Sequence, residues 1–352
     1  SETPLCPTAI QDTLDEMVFE HFGFDSYCTR QAPVLAALAM QQQQQQQQKA
    51  QAQPTAAAAA AEDAGGASSA RPATLVVDCG FSATHCVPIF GGVPLNFATK
   101  RLNVGGKMLT NHLKQIISYR SYNVMEETHL INDVKERLCY VSLDLPAELA
   151  LTRFKGKKNT LRRDFIMPDY VNHFKGQIRD PNAPEPPKTA PEPPAAAAAA
   201  AAATKKGTKT GAVAAEEQVL HLSNERISVP EILFRPSDIG LEQAGVAECV
   251  VQAVEACLPD LREALYSNVV VTGGSSRFPN FGERLQRELR ALVPADMEIG
   301  ITHASDPLLA TWRGGSLFAS SETYPSQTVT RAQYHEEGHA LCRRRFLSQQ
   351  CW

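Results

Sequence analysis

The sequence predicts an α/β protein whose ligand chemistry lies at the ends of its strands, and three observations carry that prediction. Apolar runs of strand length, residues 74–77 and 268–272, alternate with stretches of helical period. Each of those runs passes straight into glycine: Asp78-Cys79-Gly80 after the first, Gly273-Gly274 after the second. In open α/β sheets, ligands bind at such strand-end turns. Finally, composition breaks sharply at residues 41–72 and 180–212, so the remainder reads as one continuous succession of elements.

Residues 12–22 form the first expected helix, with Leu14, Met17, Val18 and Phe22 spaced for one apolar face. After the strand at 74–77, residues 85–90 and 93–97 flank Gly91-Gly92 and read as a hairpin. Helices are expected over 108–119 and 129–140. Residues 165–170 and 217–231 read as the two strands of a hairpin split by the second insert. A helix over 246–258, the buried strand at 268–272 and a helix over 282–292 after Pro279 complete the pattern. Near the end, Thr330 and Gln333 form a capping box that starts a helix at Arg331, and Gly338 stops it.

The two inserts, one built on glutamine and alanine and the other on proline and alanine, hold too few large apolar side chains to offset the entropy of ordering. Both are expected to be disordered insertions into surface turns. A net charge of −4 gives no bulk attraction to nucleic acid or an anionic membrane. The opening SETPLCPTAI has neither the basic nor the apolar region of a signal peptide, and no run is long and apolar enough to span a bilayer. Nine cysteines without framework spacing suggest reduced thiols. Lys155-Gly156-Lys157-Lys158 and Arg162-Arg163 make a small basic patch, read as solvated charge with a nucleic-acid role behind it.

One motif points elsewhere. His335-Glu336-Glu337-Gly338-His339 fits H-E-x-x-H, in which two histidines a helical turn apart hold zinc. If Gly338 ends the helix, His339 leaves the face that carries His335. The thirteen residues that follow offer no His, Asp or Glu as a third ligand, although one could come from upstream. The expectation is a capped terminal helix and its exit, with no metal.

The glycine turns carry more chemistry. In VVDCGFSATHCVPIF the turn can aim backbone N–H groups at a phosphate while Asp78 holds a metal-bound water. In VVTGGSSRFPNFGERL two glycines let the backbone approach a flat ligand. Either alone is equally a plain turn.

Together, and in order with VGGKMLTNHLKQIISYRSYN, VKERLCYVSLDL and TWRGGSLFAS, these segments resemble the actin family. FEHFGF, RISVPEILFRPSDIG and EEGHALC are similar to a nuclear actin-related class within it. The resemblance implies an actin-like ATPase fold: two RNase-H-like α/β domains around a nucleotide cleft. The family's first phosphate loop does not precede Ser1, so the first domain is expected to be incomplete, with residues 1–40 and 309–352 belonging to it. Its helices at 14–22 and 34–38 should then lack much of the sheet they cover. Residues 73–308 would be the second domain, with an outer lobe at about 105–240.

By the same resemblance, Gln31 and His85 match the positions that orient the attacking water, and Asp78 the metal-water aspartate. Gly80, Gly106, Lys135, Glu136, Gly273, Gly274, Ser275 and Phe278 match the nucleotide-binding positions. Phe81 stands where the family has an aspartate, Asn132 replaces an arginine and Leu308 a lysine. The resemblance therefore implies ATP or ADP with magnesium as a structural clamp, in a scaffold that is not an enzyme. For the class it implies a nuclear subunit of an SWR-type chromatin remodelling complex that exchanges a variant histone into nucleosomes. Its partners there are the remodelling ATPase and a zinc-finger HIT subunit, with no membrane and no filaments. The alternative is an ATP-hydrolysing, filament-forming cytoskeletal actin.

Overall fold

The computed structural model describes residues 1–51, 73–154, 156–168, 174–181 and 218–347. These fall into two compact units, Ser1–Leu143 with Ile227–Trp352, and Asp144–Arg226. In chain order the elements begin with α1 (Thr8–Glu16), β1 (Ser26–Tyr27), α2 (Ala32–Gln51), β2 (Ala73–Cys79), β3 (Thr84–Phe90), β4 (Val93–Pro94) and β5 (Lys100–Leu102). Then come α3 (Gly106–Arg120), α4 (Thr128–Leu138), α5 (Leu145–Thr152), β6 (Arg163–Ile166), β7 (Gln177–Arg179), β8 (Val219–Leu222) and α6 (Glu225–Glu231). The rest are α7 (Val246–Glu255), α8 (Pro259–Tyr266), β9 (Val269–Thr272), α9 (Phe281–Leu292), β10 (Ile301–His303), α10 (Ala310–Ala319), α11 (Tyr324–Gln327), β11 (Val329–Thr330), α12 (Arg331–Glu337) and α13 (His339–Leu347).

The larger unit is built on a six-stranded sheet in the order β10-β9-β2-β3-β4, with β5 also paired to β3. β2 runs parallel to β9, and β9 to β10; β3 is antiparallel to its partners. Both faces are covered, which is why β2 and β9 read as continuous apolar runs. On one face Val76, Val87, Ile89 and Val270 pack against Ala36, Ala37 and Met40 of α2 and Ala310 of α10. α7 packs against β3 and β5 and α8 against β2. Gly91 and Gly92, both at positive φ, make the tight turn between β3 and β4.

A second, smaller core joins the two ends of the chain. β1 pairs antiparallel with β11, and Phe19, Val329, Tyr334, Leu341, Cys342 and Phe346 cluster around it. Phe19 stacks on Tyr334 with centroids 4.6 Å apart, and Tyr27 meets Phe346 edge-on at 5.6 Å.

Several expectations are corrected. The first helix starts earlier, at Thr8, and leaves regular geometry at Met17–His21, a π-helical turn. That turn shifts the side-chain register: Phe19 is fully buried, while Met17 and Phe22 face solvent. The first insert is not structureless from its start, because α2 continues through residues 41–51. Glutamine has ordinary helix propensity, and extending a helix already held by packing avoids the cost of nucleation; residues 52–72 lie outside the described set. α2 also does not lack a sheet, since Leu35, Ala36, Ala37 and Met40 are buried.

In the smaller unit β6 pairs antiparallel with β8, as expected of 165–170 and 217–231, but β7 pairs with its other edge. Residues 225–231 form α6 rather than continuing the strand. Of the second insert, Asp180 is placed, 3.3 Å from the Arg163 guanidinium, while residues 182–212 lie outside the described set. Arg162 meets Asp164 at 3.2 Å, so both arginines of the expected basic patch have carboxylate partners. Helix α12 begins with the full Thr330–Gln333 capping box and ends at Gly338, φ +65. It is not the terminal helix, for α13 follows at once. No described helix is long and apolar enough to cross a membrane.

Candidate functional site

Because β2 and β9 run parallel with Asp78 beside Thr272, both glycine turns leave the same edge of the sheet. Gly273 sits at φ +90, and a Cβ there would lie 2.4 Å from the Cys79 carbonyl oxygen and 2.8 Å from Asp78 Oδ1. A Cβ on Gly105 would lie 2.6 Å from the Phe81 carbonyl oxygen. These bare positions let the start of α3 dock onto the first turn. The Gly106 N–H donates to the Gly80 carbonyl at 3.1 Å and the Lys107 N–H to the Phe81 carbonyl at 2.8 Å.

The result is a cleft of about 480 Å³, lined by Gly80, Phe81, Gly106, Asn132, Lys135, Glu136, Arg137, Gly274, Ser275, Arg277, Phe278 and Leu308. That volume suits a nucleotide-sized ligand. Of the residues the sequence proposed, Gly80, Gly106, Lys135, Glu136, Gly274, Ser275 and Phe278 reach the wall, and Gly273 packs directly behind it. The departures at Phe81, Asn132 and Leu308 line it too. Sequence reasoning passed over Arg137 and Arg277; their only signals were adjacency to Lys135-Glu136 and a place inside the second glycine turn.

Lys135 is a strut. Its ammonium donates to Asn132 Oδ1 at 2.8 Å, Thr110 Oγ1 at 2.9 Å and the Gly106 carbonyl at 3.3 Å, matching its three donors. Burial lowers its pKa, opposed by Glu136 and Cys139. Asn132 donates in turn to Glu136 Oε1 at 2.6 Å. The Lys135 charge is therefore committed to joining α3 and α4.

Gln31, Asp78 and His85 do not line this cleft. Asp78 and His85 are directly opposed across β2 and β3, on the face that carries Val76 and Val87. Burial raises the pKa of Asp78 and lowers that of His85 to about 4. Gln31 immediately precedes α2 and its side-chain amide donates to Asn96 Oδ1 at 3.1 Å. All three thus border the α2 face of the sheet.

The H-E-x-x-H motif resolves differently. Asp12, Asp15 and His339 place ligand-type atoms within 4.8 Å of one another, and His335 is not among them. His339 Nδ1 lies 3.5 Å from Asp15 Oδ2 and 3.9 Å from Asp12 Oδ1. The Arg343 guanidinium bonds that same Asp12 oxygen. A fixed cation on one carboxylate disfavours a divalent ion beside it, and the cluster reads as an ion network tying α1 to α13.

Fold and cleft together define an α/β protein with a ligand site where glycine turns leave adjacent parallel strands. The chain belongs to the actin family, whose family model, Actin, matches residues 1–347. Its relatives include actin-related protein 6 of Arabidopsis thaliana, 42% identical over 348 residues that cover 99% of this chain and 76% of that protein. Actin-related protein 6 of Oryza sativa subsp. japonica is 41% identical over 350 residues, 97% of this chain and 75% of its own length. The Drosophila melanogaster protein of the same name is 34% identical over 264 residues, covering 75% and 60%.

Proposed function

We propose that this protein is a nuclear actin-related scaffold subunit of an SWR-type chromatin remodelling complex, joined to the remodelling ATPase and a zinc-finger HIT subunit. The supporting observation is similarity to actin-related protein 6 over nearly the whole chain. Histone exchange would be the work of the assembly, and this subunit would contribute shape and contacts.

The cleft bears on the chemistry. The actin family in general binds nucleotide with magnesium. Gly274, Phe278 and Leu308 offer bare backbone and apolar surface to a flat base, and Glu136 a polar rim. A Cβ on Gly274 would come 3.2 Å from Leu308 Cδ2, so an open backbone is part of that wall. The phosphate side fits less well: Phe81 occupies the turn, and Lys135 is bonded elsewhere. A bound magnesium nucleotide would supply charge that ties the two glycine turns together. This is holding without turnover.

Steady-state ATPase activity and calorimetric nucleotide binding test the reading. Binding of ADP or ATP with turnover near background is expected, with Phe81→Asp strengthening the magnesium dependence of binding. Sustained hydrolysis by the unaltered protein would instead favour the ATP-hydrolysing cytoskeletal alternative. For assembly, a tagged chain should recover the remodelling ATPase and the zinc-finger HIT subunit from nuclear extract; a cytoplasmic protein that recovers neither would overturn the proposal.

A further inference from the structure

The N-terminal face carries apolar side chains that the cleft does not use. Phe22 and Phe24 are 68% and 57% exposed, with ring centroids 6.2 Å apart, and Met17 is 42% exposed. The backbone builds this presentation. The π-helical turn Met17–His21 sends Phe19 into the core, and the Phe22 N–H closes on the Met17 carbonyl at 2.9 Å. Gly23, at φ +65, reverses the chain so that the Phe24 N–H reaches the Val18 carbonyl at 3.2 Å. The Arg331 N–H then fixes the Asp25 carbonyl at 2.9 Å. π-helical turns are rare and recur at functional sites.

Along this stretch of chain the charge has one dominant sign. Residues 1–29 carry six carboxylates and no lysine or arginine. Asp12 is bonded by Arg343, and Asp15 faces His339, but Glu16, Glu20 and Asp25 are exposed on the same stretch of chain as the two rings. Glu20 accepts the Tyr334 hydroxyl through one oxygen at 3.2 Å. The Arg331 side chain of α12 lies beside Gly23 and brings a positive group to this face. Aromatic faces and carboxylates both attract guanidinium and ammonium groups.

We propose that this face docks an arginine- or lysine-rich amphipathic segment of a partner protein. Its apolar side would rest on Met17, Phe22 and Phe24, and its basic side would face Glu16, Glu20 and Asp25. The same carboxylates repel a nucleic acid or an anionic bilayer. A second copy across a two-fold axis would bring the acidic rim against itself.

The test uses the full chain and two labelled helical peptides, each with a leucine face, one with an arginine face and one with a glutamate face. Fluorescence anisotropy should show salt-sensitive binding of the arginine peptide and little of the glutamate peptide. Phe22→Ser with Phe24→Ser should weaken the arginine peptide by about tenfold or more, the usual scale for losing an aromatic anchor. Glu16→Lys with Asp25→Lys should do likewise and improve the glutamate peptide, the melting temperature confirming that each variant folds. Equal binding of both peptides, or affinity unchanged in both variants, overturns the proposal. So would a dimer, seen by sedimentation, that the phenylalanine substitutions dissociate, since that would assign the face to a second copy.

Discussion

His85 is a buried imidazole whose Nε2 has no hydrogen-bond partner among the described residues. Burial, helped by Arg101 across the strand pair, holds its pKa at about 4, against about 6.5 in an unfolded chain. The unfolded state therefore takes up a proton between pH 6.5 and 4 that the folded state refuses, and stability falls as pH drops through that window. At 1.36 kcal/mol per unit the whole shift is worth about 3 kcal/mol, roughly 2 of it gone by pH 5. His85→Gln should flatten the pH dependence of urea unfolding between pH 7.5 and 5 by about that amount; a parallel curve for the variant would refute the assignment. The glycine turns were legible in sequence because each follows a strand with an unambiguous apolar pattern, whereas Asp78 and His85, read as nucleotide-site residues, lie off the cleft wall. The role of Lys135 was not legible either. Its partners Gly106 and Thr110 come from another helix, so the residue type announced a cation while the contacts made it a strut.

Elements were legible where their side chains alternate or repeat and illegible where they do not. β2, β3 and β9 carry nearly unbroken buried runs and were found. β7 is exposed at all three positions, so no apolar signal marked it, and it is held by backbone pairing to β6. The π-helical turn defeated the helical period itself: a face drawn at 3.6 residues per turn selects Phe22, whereas the wider turn buries Phe19. α6 and α9 are joined by a contact that no local pattern encodes. Arg284 donates to both oxygens of Glu231 at 2.8 and 3.3 Å, to Glu288 at 2.6 Å and to the Ser142 carbonyl at 2.5 Å. Glu231 is 1% exposed. Glu231→Ala should cost about 3–5 kcal/mol, because it leaves a buried guanidinium short of its charge partner, while Glu231→Leu with Arg284→Met should recover much of that loss. Urea melts of the three proteins decide it; a single variant as stable as the parent would show that the pair is solvated.

At the scale of the whole molecule, the sequence showed an α/β core interrupted twice, but not how its cohesion is distributed. The larger unit owns the sheet, with Leu75, Val76, Val77, Val269, Val270 and Val271 all essentially inaccessible. α2 shares that protection through Leu35, Ala36 and Ala37, and Gly314 of α10 would put a Cβ 1.8 Å from the Leu35 carbonyl oxygen, so the two helices are in backbone contact. The smaller unit, Asp144–Arg226, has a three-stranded sheet whose β7 edge is solvated and a helix, α5, with no buried residue. Local opening follows buried apolar contact, so amide exchange should fall into tiers. The β2 and β9 amides and those of α2 from Leu35 to Met40 should exchange only by near-global opening. The amides of α5 and β7 should exchange far sooner, by local opening. Past Met40 the helix buries no further large apolar side chain among residues 41–46, so its glutamine amides should lose protection progressively. Hydrogen exchange with mass spectrometry on the intact chain resolves these segments. If α5 exchanged as slowly as β2, the smaller unit would be stabilised by contacts beyond its own, and if Leu35–Met40 exchanged as fast as the glutamine run, the packing of α2 on the sheet would not hold in solution.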